Sequence, residues 1–249
     1  MTRYQDLGVN LEAASEGQRT PKDFRRTLST WGEIETWLGT VGYESSLERG
    51  FALMMAIDPQ VRTIMHQPWL LRYRTRSGRR LRRYTPDYFV ERDLSRPWVW
   101  GFPKGGFTAR ELIEIKPHDR SIKTYVATRE RYAAARLWCE TNSCQFRLIS
   151  QHFITNAAVE NASAVLFASK LTLPAWLISQ PVLKAPTTMA EVLDACVTGG
   201  DERVAPTLAH IGFARGWFWF NMSFAIQPET QVFPFSERGL ETDTFFTNS

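Results

Sequence analysis

Between Glu111 and Ile149 the chain reads as a compact strand (Glu111–Lys116) closed by Pro117, a long helix over Ile122–Glu140, and a second strand over Phe146–Ile149. A helix threaded between two strands has to cover a face of the sheet that they build, which restricts this stretch to a layered architecture. Upstream, Ser46–Ile57 carries Leu47, Phe51, Met54 and Met55 as an apolar helical stripe. Ser45-x-x-Glu48 has capping-box spacing at its start, and Asp58-Pro59 stops it. Short β-like runs follow at Val61–Met65, Trp69–Thr75, Leu81–Tyr84 and Asp87–Val90, with a turn at Ser77-Gly78. One helix, several strands and then strand–helix–strand predict an α/β core, a mixed sheet flanked by helices.

The flanks differ from this centre. The first 30 or so residues are polar with few apolar anchors, and residues 1–40 are expected to form an arm or lead-in to a core over 41–170, whose last helix is Asn156–Ser169. Ser95–Thr108, rich in Pro, Gly and Trp, reads as a loop. In the last part, 171–249, Met189, Val192, Leu193, Cys196 and Val197 make an amphipathic helix that ends at Gly199-Gly200. Asp201 would cap a second helix reaching about Ala214, followed by the aromatic run Trp217–Phe220 and a β-like stretch at Gln231–Phe235. This order predicts a small helix-turn-helix or winged-helix-like domain. Its acidic, aromatic character suits docking to a protein better than reading a DNA groove.

Composition removes several classes. A 43% apolar content with nine Trp and 16 Phe is incompatible with a disordered chain. No apolar stretch approaches the roughly 18 residues that span a bilayer, and Met1–Asn10 lacks the basic-then-apolar plan of a secretory signal. Cys139, Cys144 and Cys196 form no even framework and no paired zinc knuckle, so free thiols in a reducing cytoplasm are expected.

The net charge of +4 conceals an asymmetry: 25 basic against 17 acidic residues up to Thr155, then 5 against 9. Seven arginines, Arg72, Arg74, Arg76, Arg79, Arg80, Arg82 and Arg83, crowd one hairpin with no acid among them. Charges on an exposed hairpin often serve only to keep its edge soluble. Seven of one sign favour contact with a polyanion such as the DNA backbone, which positions a protein without informing it of sequence.

The chemistry-bearing residues lie between these landmarks. Strand alternation puts Glu114 and Lys116 on one face of a half-buried strand, with Ile113 and Ile115 on the other. An acid and an ammonium placed there are costly without a use. Tyr84-Thr85-Pro86-Asp87 sets a second acid at the start of a strand, and Glu48 lies early in the preceding helix. Hydrolysis of a phosphodiester needs a divalent cation held by hard oxygens, an activated water and stabilisation of phosphoryl charge. Asp87 and Glu114 are suited to Mg²⁺, Glu48 to adding a further carboxylate, and Lys116 to orienting or deprotonating the water. Plainer roles stand beside these: Glu48 as a capping glutamate (with Glu44 the competing acid one turn earlier), Asp87 as a turn residue, Lys116 as a solvated strand end. His118 reads as a loop-surface residue, and His66, His152 and His210 as structural. Met54, Met55 and Trp217–Phe220 read as packing residues, with base stacking or a partner surface as further roles for the aromatic run.

The ordered set resembles the PD-(D/E)xK nuclease superfamily and, more narrowly, the TnsA endonuclease subunits of heteromeric transposases. The narrower resemblance is carried by Tyr43-Glu44-Ser45-Ser46-Leu47-Glu48-Arg49, Asp58-Pro59-x-Val61, Gln67-Pro68, Tyr84-Thr85-Pro86-Asp87-Tyr88-Phe89-Val90 and Ile113-Glu114-Ile115-Lys116-Pro117. It implies a restriction-endonuclease-like fold, with Glu48, Asp87, Glu114 and Lys116 as the catalytic set and the three acids as ligands of Mg²⁺, for which Mn²⁺ substitutes. It also implies cutting of double-stranded DNA at the 5′ ends of a mobile element, beside a DDE-type transposase and an AAA+ ATPase regulator, in the bacterial cytoplasm. Family members also carry Gln where Glu114 stands. Two other readings remain open: a restriction or repair nuclease acting alone, and a non-catalytic DNA-binding adaptor on a nuclease scaffold.

Overall fold

The structure is a computed structural model that describes residues 9–16, 31–75, 80–101, 108–171, 183–196 and 205–234; the side chains of 118–127, 205 and 206 lie outside the description. Two compact units divide the chain. The first comprises Met1–Ala52, Val61–Arg92 and Phe107–Ile154, and the second Leu53–Gln60, Asp93–Gly106 and Thr155–Ser249.

The elements of the first unit are β1 (Asn10–Glu16), β2 (Gly32–Thr36), β3 (Gly39–Tyr43), α1 (Ser46–Ile57, of which the part to Ala52 belongs here), β4 (Val61–His66), β5 (Trp69–Arg74), β6 (Arg82–Tyr84), β7 (Tyr88–Arg92), β8 (Arg110–Ile115), α2 (His118–Thr141) and β9 (Gln145–Ile149). The main sheet has the order β4-β7-β8-β9. Its first two pairings are antiparallel. The β8/β9 pair is parallel, as a connection through the long α2 requires. A second sheet, β1-β5-β6, is antiparallel throughout, and β2 and β3 form a hairpin. The lead-in read as an arm thus contains β1, whose polar sequence gave no apolar signal because the strand is held by its backbone ladder with β5.

The core of this unit joins Leu71, Tyr73, Tyr84, Phe89 and Leu112 to Tyr132, Ala133, Ala134, Ala135 and Trp138 of α2. Three consecutive alanines let the helix approach the strands closely. The strand β8 was expected to be half-buried; instead every residue from Glu111 to Ile115 is buried, because strands flank it on both sides and α2 covers one face. Glu111 survives there because Arg92 and Arg147 each donate to it at 2.8 Å. That triad fits the rule that a buried charge is tolerated when paired and hydrogen-bonded.

The second unit holds α3 (Asn156–Ala168), β10 (Thr187–Thr188), α4 (Met189–Cys196), α5 (Ala205–Ala214), β11 (Phe218–Phe220) and β12 (Gln231–Pro234), with a small antiparallel sheet of order β10-β12-β11. Here α3, assigned from the sequence to the preceding core, groups with the C-terminal elements: Asn161 donates to the carbonyls of Met222 and Phe224. Phe218, Trp219 and Phe220 are buried and serve packing, while Trp217 is half-buried with Arg215 over its ring. Met54 and Met55 are fully buried as well. The Gly199-Gly200 stop and the Asp201 cap fall outside the described residues. Among the described residues no helix is long and apolar enough to cross a membrane, and the three cysteines are free.

Candidate active site

Pairing register brings three of the expected residues together. Phe89 lies opposite Leu112, so by alternation Asp87, Glu114 and Lys116 lie on the face that α2 covers. Asp87 sits just before β7, where its Oδ2 accepts the Ile115 backbone N–H at 2.7 Å across the sheet. Its own carbonyl accepts the N–H of Gln67 at 2.8 Å. Gln67 adopts the left-handed conformation, φ 48°, and its side chain donates to Glu44, so the β4–β5 turn holds the Asp87 backbone in place. Lys116 follows β8, with its N–H bonded to the Ile149 carbonyl at 2.9 Å. Its ammonium lies 2.9 Å from Glu114 Oε1 and 3.8 Å from Asp87 Oδ2, and donates to the Ile115 carbonyl at 2.9 Å. One lysine thus bridges two carboxylates.

Glu114 is almost wholly enclosed, at 2% exposure. Its Oε2 accepts the Tyr84 hydroxyl at 2.7 Å, and its Oε1 accepts Arg131 Nη2 at 3.4 Å as well as Lys116. The Asp87 carboxyl is held well above the ordinary value by burial, then by the charge of Glu114 and, more weakly, of Glu48; Lys116 and the Ile115 N–H oppose this. Burial alone would lower the Lys116 ammonium, but Asp87 and Glu114 raise it, so it stays charged. Tyr84 is pushed well up by burial and by the same two acids, and remains a hydrogen-bond donor. Two acids thus face two cations, Lys116 and Arg131, with both cations on Glu114 Oε1.

Glu48 stands apart. It makes the capping box expected of it: Ser45 Oγ donates to Oε1 at 2.9 Å, the Glu44 N–H to Oε2 at 2.7 Å, and Glu48 N–H to Ser45 Oγ at 3.2 Å. Its Oε2 lies 3.8 Å from His66 Nε2. Burial would raise this carboxyl, yet His66 and the cap bonds together bring it below the ordinary value. Among the described residues no three His, Cys, Asp or Glu side chains converge as a metal shell, so the gathered acids are Asp87 and Glu114, with Glu48 acting on Asp87 only through its charge. Two hard oxygen donors at the end of a sheet nevertheless fit Mg²⁺, which is bound through one or two carboxylates and keeps water and phosphate as its other ligands.

Of the arginine cluster, Arg76 and Arg79 fall outside the described residues. Arg74 pairs with Glu12 at 2.9 Å, and Arg82 with Glu130. Arg72 and Arg83 lie directly opposite one another on β5 and β6, and Arg80 and Arg83 are exposed. Three residues at the site went unassigned from the sequence: Tyr84, Arg131 and His66. Tyr84 was visible as part of the motif string, and His66 was set aside as structural. Arg131 gave no signal, because its partner is 17 residues away in another element.

Residues 58–151 match the family model described as TnsA-like endonuclease N terminal. The matched segment takes in Asp87, Glu114 and Lys116 and leaves Glu48 upstream. The segment is thus similar to the N-terminal part of TnsA-like endonucleases, and the similarity covers 58–151 of the 249 residues. A search among curated proteins returns no match.

Proposed function

We propose that the chain is a Mg²⁺-dependent DNA endonuclease subunit of a heteromeric transposase, cutting phosphodiester bonds at the 5′ ends of a mobile element. The observation that carries this reading is the convergence of Asp87 and Glu114 on Lys116 at the end of β8, inside the segment that matches the TnsA-like family. Asp87 and Glu114 would hold the ion. When bound, it supplies Lewis-acid stabilisation of phosphoryl charge and a water of lowered pKa. Lys116, with its ammonium kept charged between the two acids, orients that water and offsets charge developing on the phosphate. Tyr84 and the Ile115 N–H would hold the Glu114 and Asp87 carboxylates in place as ligands of the ion. Glu48 tunes Asp87 from the capping box, and turning out of that box would make it a third carboxylate.

The β5–β6 hairpin, with the half-buried Arg72 and the exposed Arg80 and Arg83, contacts the DNA backbone. The second unit, helical with a small sheet of order β10-β12-β11, docks a partner: a DDE-type transposase or an AAA+ regulator. Cleavage of end-containing duplex by the purified chain with its transposase partner, in Mg²⁺ or Mn²⁺, tests this. Asp87→Ala and Glu114→Ala are expected to abolish cuts at the 5′ ends while leaving the 3′ cuts of the partner; 5′ cutting that persists in both variants would overturn the assignment.

A further inference from the structure

Arg131 is built into this site in an unusual way. Its guanidinium lies over the ring of Tyr84, 5.4 Å from the centroid, and over that of Tyr132, at 5.2 Å. Among the described residues its one acid partner is Glu114 Oε1, at the long distance of 3.4 Å, and its buried Nε–H meets no acceptor. Lys116 touches the same oxygen at 2.9 Å, while Tyr84 occupies Oε2. Both oxygens of Glu114 are therefore taken, one of them by two cations.

Were Glu114 to hold a divalent ion, Lys116 and Arg131 would both be repelled from it, and one would have to give way. Lys116 has two further anchors, Asp87 and the Ile115 carbonyl. Among the described residues Arg131 has no second acid and no carbonyl, its further anchor being its neighbour Tyr132 on the same helix, and 31% of its side chain is exposed, so it has room to turn outward. The two tyrosine faces keep it beside the site when the contact with Glu114 is lost, since guanidinium stacks well on aromatic rings. What it would meet is phosphate, for which its planar fork of donors is matched.

Resting on the nuclease reading above, we propose that Arg131 is a substrate-binding residue, parked on Glu114 in the free protein and transferred to a non-bridging oxygen of the DNA phosphodiester when Glu114 turns to a divalent cation.

Arg131→Gln and Arg131→Lys in the full chain test this through three readouts. Ca²⁺ binding to the protein alone is measured by calorimetry. Binding to a generic DNA duplex in Ca²⁺ is measured at several salt concentrations, and cleavage is measured in Mg²⁺ with the transposase partner. For Arg131→Gln we expect Ca²⁺ affinity equal to or above wild type, because a competing cation is gone. The slope of log affinity against log salt is expected to fall by about one, and cleavage by about 10²-fold, as for loss of one donor to a charged transition state. Arg131→Lys, which keeps the charge without the fork, should hold the salt slope and recover only part of the cleavage; it also stands in if the glutamine variant melts early. An unchanged salt slope and unchanged cleavage in Arg131→Gln would overturn the proposal, as would weakened Ca²⁺ binding with DNA binding intact, which marks a residue that only positions Glu114. Failure of the nuclease reading itself looks different: wild type would then bind no Ca²⁺ and cut no DNA beside a partner that is active at the 3′ ends.

Discussion

Glu48 shows how one side chain carries two claims. The capping box accounts for its sequence position completely, and the structure draws that box. Glu48→Gln keeps the box, since Gln serves at that position, but removes the charge felt by Asp87. Stability should stay within about 0.5 kcal/mol of wild type, and cleavage should fall about 10–100-fold, as for groups that orient the ligands of a metal. Thermal melts and single-turnover cleavage check this, and unaltered cleavage would reduce Glu48 to a cap. Tyr84→Phe removes the donor to Glu114 Oε2 in a fully buried setting. It should cost about 1–3 kcal/mol in urea denaturation, the range for leaving a buried acceptor unsatisfied. At this scale the sequence disclosed the acids and the lysine, because strand alternation and motif order are local. It disclosed neither Arg131 nor the contact of His66 with Glu48, since both depend on which elements become neighbours.

Among the elements, β8 and the β5–β6 hairpin carry most of the consequences. The helices and strands from Ser46 to Ala168 lie close to where periodicity and turn residues put them, with α1 spanning Ser46–Ile57 as read. The β2–β3 hairpin and β1 were missed because their residues are polar or mixed and the pairing lies in the backbone. The buried Arg92–Glu111–Arg147 triad was also hidden: β7, β8 and β9 had first to be put in register. Glu111→Ala leaves the fully buried Arg92 facing Arg147 without an acid between them. Breaking such a group should cost about 3–5 kcal/mol, read as a lower urea midpoint; a loss under about 1 kcal/mol, within the range of exposed pairs, would contradict it. On the hairpin, Arg72 and Arg83 face each other, and among the described residues no acid pairs with either. Replacing both by Ala should weaken binding to any duplex and lower the salt slope by about two. The same change at Arg74 and Arg82, already paired with Glu12 and Glu130, should do less.

For the molecule as a whole, the charge of the sequence is uneven: a basic first part that holds Asp87, Glu114 and Lys116, and an acidic last part of helices and a small sheet. The change of character along the chain was legible in its composition; which neighbours α3 joins was not, because that depends on contacts distant in sequence, such as its bonds to Met222 and Phe224 and that of Thr155 to Ser223. Beneath every functional statement lies one physical claim, that Asp87 and Glu114 jointly grip a divalent ion. Titration of the full chain with Mn²⁺, followed by electron paramagnetic resonance of the free ion, tests it directly. The account predicts a site in the wild-type protein whose affinity drops at least about tenfold in both Asp87→Asn and Glu114→Gln, the loss expected when a ligand or its support is removed; equal Mn²⁺ affinity in wild type and both variants would contradict it.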